Sequence, residues 1–218
     1  MARPTAGYKN ADGKRIPGVT TVIGRFKESG ALMHWAFQQG QSGAKSLYEK
    51  RDEAALSGTI AHDMIEAFIL QRELTVFPSV APEVAVRAEN AYLQFREWWS
   101  LTRMEIVATE RSYISELHQF GGTLDAIGRD AKGRIVLVDW KSSNGVYQDY
   151  LVQLGAYALL LEECAPAWTP EAFHLLRVAK ETADFTHHFY GELADAKEQF
   201  LLFRKAYDLD SRLKKRAA

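Results

Sequence analysis

Two acidic residues and a lysine near the middle of the chain have the types and spacing needed for metal chemistry. Asp125 lies in one predicted strand, and Asp139 and Lys141 lie in the next, with a polar, glycine-containing turn at residues 130–133 between them. Opposed residues of an antiparallel pair have numbers with a constant sum, so Asp125 and Asp139 are expected to face each other. Two like charges in that position repel, which is unfavourable unless the pair has a purpose.

The second strand, residues 135–141, is apolar on both faces before Asp139, which predicts a buried central strand. A buried carboxylate pair either shares a proton or binds a cation. Oxygen ligands favour a hard divalent ion, so we expect one or two Mg²⁺ or Mn²⁺ ions. Lys141 lies on the same face as Asp139, where its ammonium can stabilise negative charge on a phosphate. The residue types therefore predict metal-assisted phosphodiester hydrolysis.

The hairpin and the helix expected after it together form a longer motif. D-x13-D-x-K on the hairpin is followed by Q-x3-Y, formed by Gln153 and Tyr157. This set resembles the PD-(D/E)xK nuclease superfamily, and most closely its RecB-like and phage-exonuclease branch. The resemblance implies that Asp125 and Asp139 bind the metal. It also implies that the backbone carbonyl of Trp140 adds a ligand.

By the same resemblance, Lys141 assists catalysis, and Gln153 and Tyr157 form the motif that follows the catalytic strand. A D-x-K tripeptide alone is common, and the alternative is an ordinary hairpin with a surface aspartate. The opposed acid, the apolar strand and the offset of Q-x3-Y favour the nuclease interpretation.

Three residues outside the hairpin are further candidates by resemblance. A G-x3-H-x3-E helix precedes the hairpin in the branch, which makes His62 a candidate metal ligand and Glu66 a candidate ligand or supporting residue. The two are four residues apart and share a helix face, so a surface His–Glu pair is the alternative. Glu110 falls in the strand predicted at residues 106–115 and is a candidate for a second metal. Its alternative is an outward-facing glutamate.

Five residues are candidates for contact with DNA. Ser142 and Ser143 follow the catalytic lysine and could donate to a phosphate or cap the turn. Tyr147 and Tyr150 flank the start of the next helix and could lean on the nucleic-acid backbone. Lys180, at the end of a predicted strand, is a candidate phosphate contact.

Composition sets bounds on these interpretations. The chain has 218 residues, 47% hydrophobic and 25% charged, which suits one globular domain with a sizeable core. Its net charge of −1 carries no global nucleic-acid signal, so attraction to DNA must come from a local basic surface. The single cysteine, Cys164, excludes a self-contained four-cysteine Fe–S cluster and favours a reducing compartment. The resemblance implies that this compartment is the cytoplasm of a bacterial or phage-infected cell. No apolar run is long enough to span a membrane.

Three other patterns were weighed for function. Residues 40–46 fail the phosphate-loop pattern, which predicts a helix break and no ATP site. The histidines at positions 174, 187 and 188 lack metal-ligand spacing and are expected to be structural. The basic tail that begins at Arg212 is either a solvated helix end with favourable dipole sign or a loose DNA contact.

The expected architecture is a single α/β domain with a mixed central sheet flanked by helices, the restriction-endonuclease-like core. A helical N-terminal part is expected at about residues 1–104, the catalytic core at about 105–190 and a C-terminal helix at about 191–218.

The function expected from these observations is a metal-dependent DNA nuclease. An exonuclease acting on ends of single- or double-stranded DNA, in phage, prophage or bacterial recombination or repair, is favoured because no recognition module is visible. A recombinase or helicase partner would act in trans. The alternatives are a structure-specific endonuclease and a catalytically silent module of the same fold that binds DNA or a protein.

Overall fold

The computed structural model describes residues 7–27, 30–41, 47–75, 80–180, 182 and 184–217. Within these residues the chain forms, in order, β1 (Tyr8–Lys9), β2 (Arg15–Ile16), α1 (Val19–Phe26), α2 (Gly30–Gln41), α3 (Leu47–Leu70), α4 (Pro82–Leu101), β3 (Glu105–Ser115), β4 (Phe120–Arg129), β5 (Ile135–Ser142), α5 (Gln148–Cys164), β6 (Ala172–Val178), β7 (Phe185–Tyr190) and α6 (Ala194–Ala217). The helix break expected within residues 40–46 falls largely on positions 42–46, outside the described residues. None of the helices within the described ranges is long and apolar enough to cross a membrane.

The central sheet has the strand order β3-β4-β5-β6-β7, with β5 and β6 parallel and the other pairs antiparallel. The parallel pair needs a crossover connection, which α5 supplies. In the hairpin, Ala126 pairs with Val138 and Ile127 with Leu137, which is the register predicted from the turn. The expected mixed α/β sheet, with β5 at its centre, is confirmed.

Helices cover both faces of the sheet, and the alternation of side chains along β5 shows how. Ile135 and Leu137 join the core formed with α5, α1 and α6. Val136, Val138 and Trp140 point to the other face, into the core formed with α3 and α4. Because both faces are covered, β5 is apolar throughout its first half, as a buried central strand must be.

The β4–β5 hairpin opens into a fork at its far end. Its ladder ends at Ala126 and Val138, whereas β4 stays paired with β3, and β5 with β6, beyond that point. The backbone N–H of Trp140 donates instead to a side-chain oxygen of Asp125, at 3.0 Å. The two strands therefore diverge where the predicted catalytic residues begin.

The N-terminal hairpin of β1 and β2 lies against the part of β4 that β5 has left. The Gly121 N–H donates to the Pro17 carbonyl at 3.1 Å, and the Tyr8 ring lies directly over Gly121. A Cβ at position 121 would clash with the root of that ring, so this contact requires glycine. The hairpin then leads into α1, whose N-cap is Gly18.

Candidate active site

Asp125 occupies the fork between β4 and β5. Its Oδ2 accepts the Trp140 N–H, and its Oδ1 lies 3.8 Å from Nδ1 of His62. The residue is only 8% exposed. One carboxylate oxygen thus accepts the Trp140 N–H, which has no partner in the β4–β5 ladder. The other oxygen points toward His62 of α3.

Asp139 and Lys141 form a buried ion pair on β5. Asp139 is fully buried, and the Lys141 Nζ lies 2.9 Å from its Oδ1 and 2.7 Å from its Oδ2. Within the described residues, Oδ2 makes no hydrogen bond of good geometry. Burial raises the pKa of Asp139 to about 6, although Lys141 opposes the shift. Burial by itself lowers the pKa of Lys141, but Asp139 and Asp125 outweigh it, so the net shift is upward and the ammonium stays charged.

Helix α3 brings His62 over the fork because a glycine lets the helix approach β5. Gly58 lies one turn before His62 on the same helix face, and a Cβ at Gly58 would lie 2.9 Å from Oγ of Ser142. Burial and the nearby Lys141 ammonium lower the pKa of His62 to about 4. The imidazole is therefore neutral at physiological pH, which is the form that binds metals.

Glu110 lies on β3 and reaches the fork, beside Asp125 and His62, through an unusual backbone conformation. Its φ is +47°, a left-handed value that is rare for a residue other than glycine and tends to cluster at functional sites. The register Thr109 to Ala126 sets Glu110 opposite Asp125. His62, Glu110 and Asp125 each offer one ligand atom, and these atoms lie within 4.8 Å of one another.

This donor set fits a divalent cation. Two carboxylates and a neutral imidazole suit Mg²⁺, Mn²⁺ and similar ions. Asp139 adds a buried oxygen without a hydrogen bond, and the charge of Asp125 acts on it and helps to raise its pKa. Among the residues predicted as ligands, His62, Asp125 and Glu110 are brought together, whereas Asp139 lies next to them with its carboxylate facing Lys141.

Gln153 and Tyr157 lie together on α5, facing the acidic residues. The Gln153 Nε2 donates to the Tyr157 hydroxyl oxygen at 2.7 Å. Burial, followed by the charges of Asp139 and Asp125, raises the pKa of Tyr157 well above its ordinary value. Its hydroxyl stays protonated, and because its oxygen accepts from Gln153, its proton is available to donate.

The tyrosines predicted to contact DNA lie beside Lys141. The Tyr150 ring centroid is 5.4 Å from Nζ of Lys141, and the Tyr147 ring packs edge-on against Tyr150 at 5.5 Å. Tyr147 is 49% exposed, so an aromatic surface next to the site is open to solvent.

Two of the other DNA-contact candidates have structural partners. The Ser143 hydroxyl donates to the Gly145 carbonyl at 2.8 Å and so caps the turn after β5. The Lys180 ammonium donates to the Ala54 carbonyl of α3 at 2.7 Å. Ser142 instead lies under α3, at the close approach described for Gly58.

Glu66 stands apart from this group. Its carboxylate binds the Arg72 guanidinium at 2.8 Å, and the same guanidinium binds Asp63 at 2.6 Å.

The histidines of β6 and β7 contact each other and lie outside the fork. His174 Nδ1 lies 2.7 Å from His187 Nε2 as the two rings stack. The only group of three possible metal-binding residues within the described ranges is the one at the fork.

Sequence reasoning missed how the site is held. It did not anticipate that Asp125 accepts a main-chain hydrogen bond, nor that Tyr8 reaches β4, where its hydroxyl lies 2.9 Å from Oγ1 of Thr123. The first half of β4 does contain a signal, because Gly121 and Gly122 in a buried strand indicate a close approach by other groups.

Comparison with known proteins supplies the family. The model of the PD-(D/E)XK nuclease superfamily matches residues 11–215. The chain therefore belongs to the PD-(D/E)XK nuclease superfamily, as its motifs indicated, and members of this superfamily use divalent metals. No curated protein matches it.

Solved structures are similar only distantly. One is LHK-Exo, an alkaline exonuclease from Laribacter hongkongensis, in complex with dAMP, at 12% identity and TM-score 0.41, covering 76% of this chain and 95% of that one. Another is a candidate exonuclease from Eubacterium rectale, at 14% identity and TM-score 0.41, covering 95% and 77%. A third, SSO0001, has 16% identity and TM-score 0.35; the match covers 54% of this chain and just 56% of the length of SSO0001.

Proposed function

We propose that the protein is a Mg²⁺- or Mn²⁺-dependent deoxyribonuclease that hydrolyses phosphodiester bonds at DNA ends. The observation that carries the proposal is the meeting of Asp125, Asp139 and Lys141 at the fork, with His62 and Glu110 beside them. Membership of a nuclease superfamily supports it.

Different residues of the fork would bind the cation and contact the phosphate. Asp125, His62, Glu110 and Asp139 would hold the cation, with the Trp140 backbone as a further candidate. A cation bound there supplies a nucleophile at neutral pH and polarises the scissile phosphate.

The remaining polar groups act on the phosphate directly. The charged Lys141 ammonium stabilises the negative charge that develops on the phosphate. Tyr157, oriented by Gln153, donates a hydrogen bond from a hydroxyl that does not ionise. The exposed Tyr147 supports a base or sugar beside the site.

Action at ends is the finer part of the proposal. The resemblance to the RecB-like and phage-exonuclease branch supports it, as does the absence, among the described residues, of a folded module beyond the central sheet, its helices and the N-terminal hairpin. The same resemblance supports a role in bacterial or phage recombination or repair, in the cytoplasm.

The test compares end-labelled linear DNA with closed circular DNA, each with Mg²⁺, Mn²⁺ or EDTA. The inactive variant is Asp125→Asn, because an amide oxygen can still accept the Trp140 N–H. The matched control is Asp130→Asn, which removes a carboxylate paired with Arg134 in the β4–β5 turn, at the opposite end of the hairpin from the fork.

Metal-dependent loss of linear DNA, absent in Asp125→Asn and retained in Asp130→Asn, is the expected result, and the fate of the label gives the polarity. Cutting of circles would replace the exonuclease with an endonuclease. Binding of DNA with no cleavage under any condition would contradict the nuclease assignment and leave a silent binding module.

A further inference from the structure

A basic cavity lies away from the catalytic fork. It has a volume of about 870 Å³ and opens between the N-terminal hairpin, the first turn of α1 and the second half of α6. Five basic side chains and one acidic side chain are among the described residues that line it: Lys14, Arg15, Arg204, Arg212, Lys215 and Asp208. The whole chain has a net charge of −1, so positive charge is concentrated here.

Most of this positive charge has no counter-ion among the residues that the structure describes. The Arg204 Nη1 lies 2.5 Å from Oδ1 of Asp208, so the acid of the cavity is already paired. The other four basic side chains form no ion pair within the described residues: Lys14, Arg15, Arg212 and Lys215. Positive charges gathered around a concave surface focus an attractive field for a polyanion.

The cavity wall on α6 is one continuous helix face. Residues 204, 207, 208, 211, 212 and 215 recur at intervals of three and four, so they lie above one another along the helix. Arg204, which is 8% exposed, fixes this face to the body of the protein because its Nε donates to the Gln119 carbonyl at 3.0 Å. Arg212 and Lys215, whose side chains are exposed, thereby line the cavity from a helix that is fixed to the body of the protein.

The opposite wall adds groups suited to phosphate. The first turn of α1 contributes Thr20 and Thr21, and its N-cap, Gly18, makes no side-chain cap. The first turn also contains no acidic residue, so the positive end of the α1 dipole is not offset there. Hydroxyls and a helix N-terminus are common partners of phosphate oxygens.

The cavity touches the strand that carries the catalytic acid. Tyr8 lines the cavity, and its hydroxyl lies 2.9 Å from Oγ1 of Thr123, two residues before Asp125 on β4. Two residues of strand span about 7 Å. A nucleic-acid strand in the cavity is therefore only a few nucleotides from the fork.

We propose that this basic cavity binds the phosphate backbone of the DNA on which the fork acts, a few nucleotides from the bond that is cut. This inference rests on the proposed function for the identity of its ligand. The cavity binds without a metal ion, because its charges are fixed lysine and arginine side chains.

The experiment measures DNA affinity by fluorescence anisotropy in EDTA, so that no cleavage occurs, over salt concentrations from about 50 to about 200 mM. The cavity variant is Arg212→Glu with Lys215→Glu. The control is Lys205→Glu with Arg216→Glu, which changes the net charge equally on exposed positions of the same helix that do not line the cavity. Thermal melts establish that both variants are folded.

The cavity variant is expected to bind duplex DNA at least about tenfold more weakly at low salt. The slope of log affinity against log salt should fall by about 1.8, since each lost phosphate contact removes about 0.9. The control is expected to bind within about twofold of the wild type. Equal losses in the two variants would overturn the proposal, because they would reflect net charge and not the cavity.

Failure of the proposed function gives a different pattern. If wild-type protein binds DNA but never cleaves it with Mg²⁺ or Mn²⁺, the nuclease assignment fails, whereas selective weakening in the cavity variant still supports the cavity. If the wild type cleaves DNA and the cavity variant binds like the control, the cavity proposal fails and the nuclease assignment stands.

Discussion

Replacing Lys141 with methionine tests whether the buried ion pair of Lys141 and Asp139 stabilises the fold. The Nζ lies 2.9 Å and 2.7 Å from the two oxygens of Asp139, whose side chain is 1% exposed. Methionine retains most of the packing and removes the charge. Removing one partner of a buried pair leaves the other charge unpaired, which costs about 3–5 kcal/mol.

The loss of folding stability expected for Lys141→Met is near the lower end of that range. Burial already raises the pKa of Asp139 to about 6, so without Lys141 the carboxyl can take up a proton and limit the loss. A loss of about 3 kcal/mol lowers the Tm of a chain of this size by about 6–12 °C.

The assay is thermal unfolding followed by circular dichroism in EDTA at neutral pH. The matched control is Lys197→Met, because Lys197 pairs with the Glu162 side chain, which is 35% exposed, and such pairs contribute less than about 1 kcal/mol. The double variant Lys141→Met with Asp139→Asn should recover most of the loss, since an amide carries no charge to bury. Equal melting of Lys141→Met and Lys197→Met, or no recovery in the double variant, would refute the reasoning.

Three further predictions test other parts of the structure. Mn²⁺ at about 100 times its Kd should stabilise the wild type by about 2.7 kcal/mol, or about 5–10 °C in a thermal melt, and Asp125→Asn should lose the shift. Gly155→Ala should lower the free energy of unfolding in urea by about 1–3 kcal/mol, because its Cβ would lie 2.8 Å from the backbone carbon of Ala196; an unchanged midpoint would contradict this. Burial lowers the pKa of His174 to about 4 from 6.5, so the unfolded chain binds more protons between these values. Stability should therefore fall as the pH drops through that range, by up to about 3 kcal/mol, and His174→Gln should flatten the dependence.

The hairpin could be predicted because its determinants are local. A polar turn with Gly133 at a φ of +77° sets the register of the strands on either side, and alternation then decides which residues share a face. The pairing of Ala126 with Val138 follows from these two facts alone. The same reasoning placed β5 at the centre, since no half-exposed strand is apolar on both faces.

The fork could not be predicted, because pairing residues by their numbers assumes that the β4–β5 ladder continues without a break. The numbering predicts that Asp125 and Asp139 are directly opposed, but the β4–β5 ladder ends one pair earlier, at Ala126 and Val138. The Trp140 N–H donates to the Asp125 side chain instead. The left-handed conformation of Glu110 is equally invisible in the sequence, since it is imposed by the surrounding structure.

The basic cavity was beyond prediction for a different reason. Its two walls come mainly from residues 7–21 and 204–215, almost the full length of the chain apart. Neither segment alone differs from an ordinary charged surface, and the tail was read as a solvated helix end or a loose contact. What joins them is the packing of α6 on α5 and on the turn that holds Gln119.

The distribution of charge explains how a chain with net charge −1 can act on a polyanion. At the fork, Asp125, Asp139 and Glu110 repel phosphate, and the Lys141 ammonium is already engaged by Asp139. The fork alone therefore favours DNA only when a divalent cation is bound. The basic cavity is attractive under all conditions, because its side chains stay charged without metal. Binding and cleavage should then separate: EDTA removes cleavage and leaves most of the affinity, whereas loss of the cavity charges removes affinity and leaves the cation site intact.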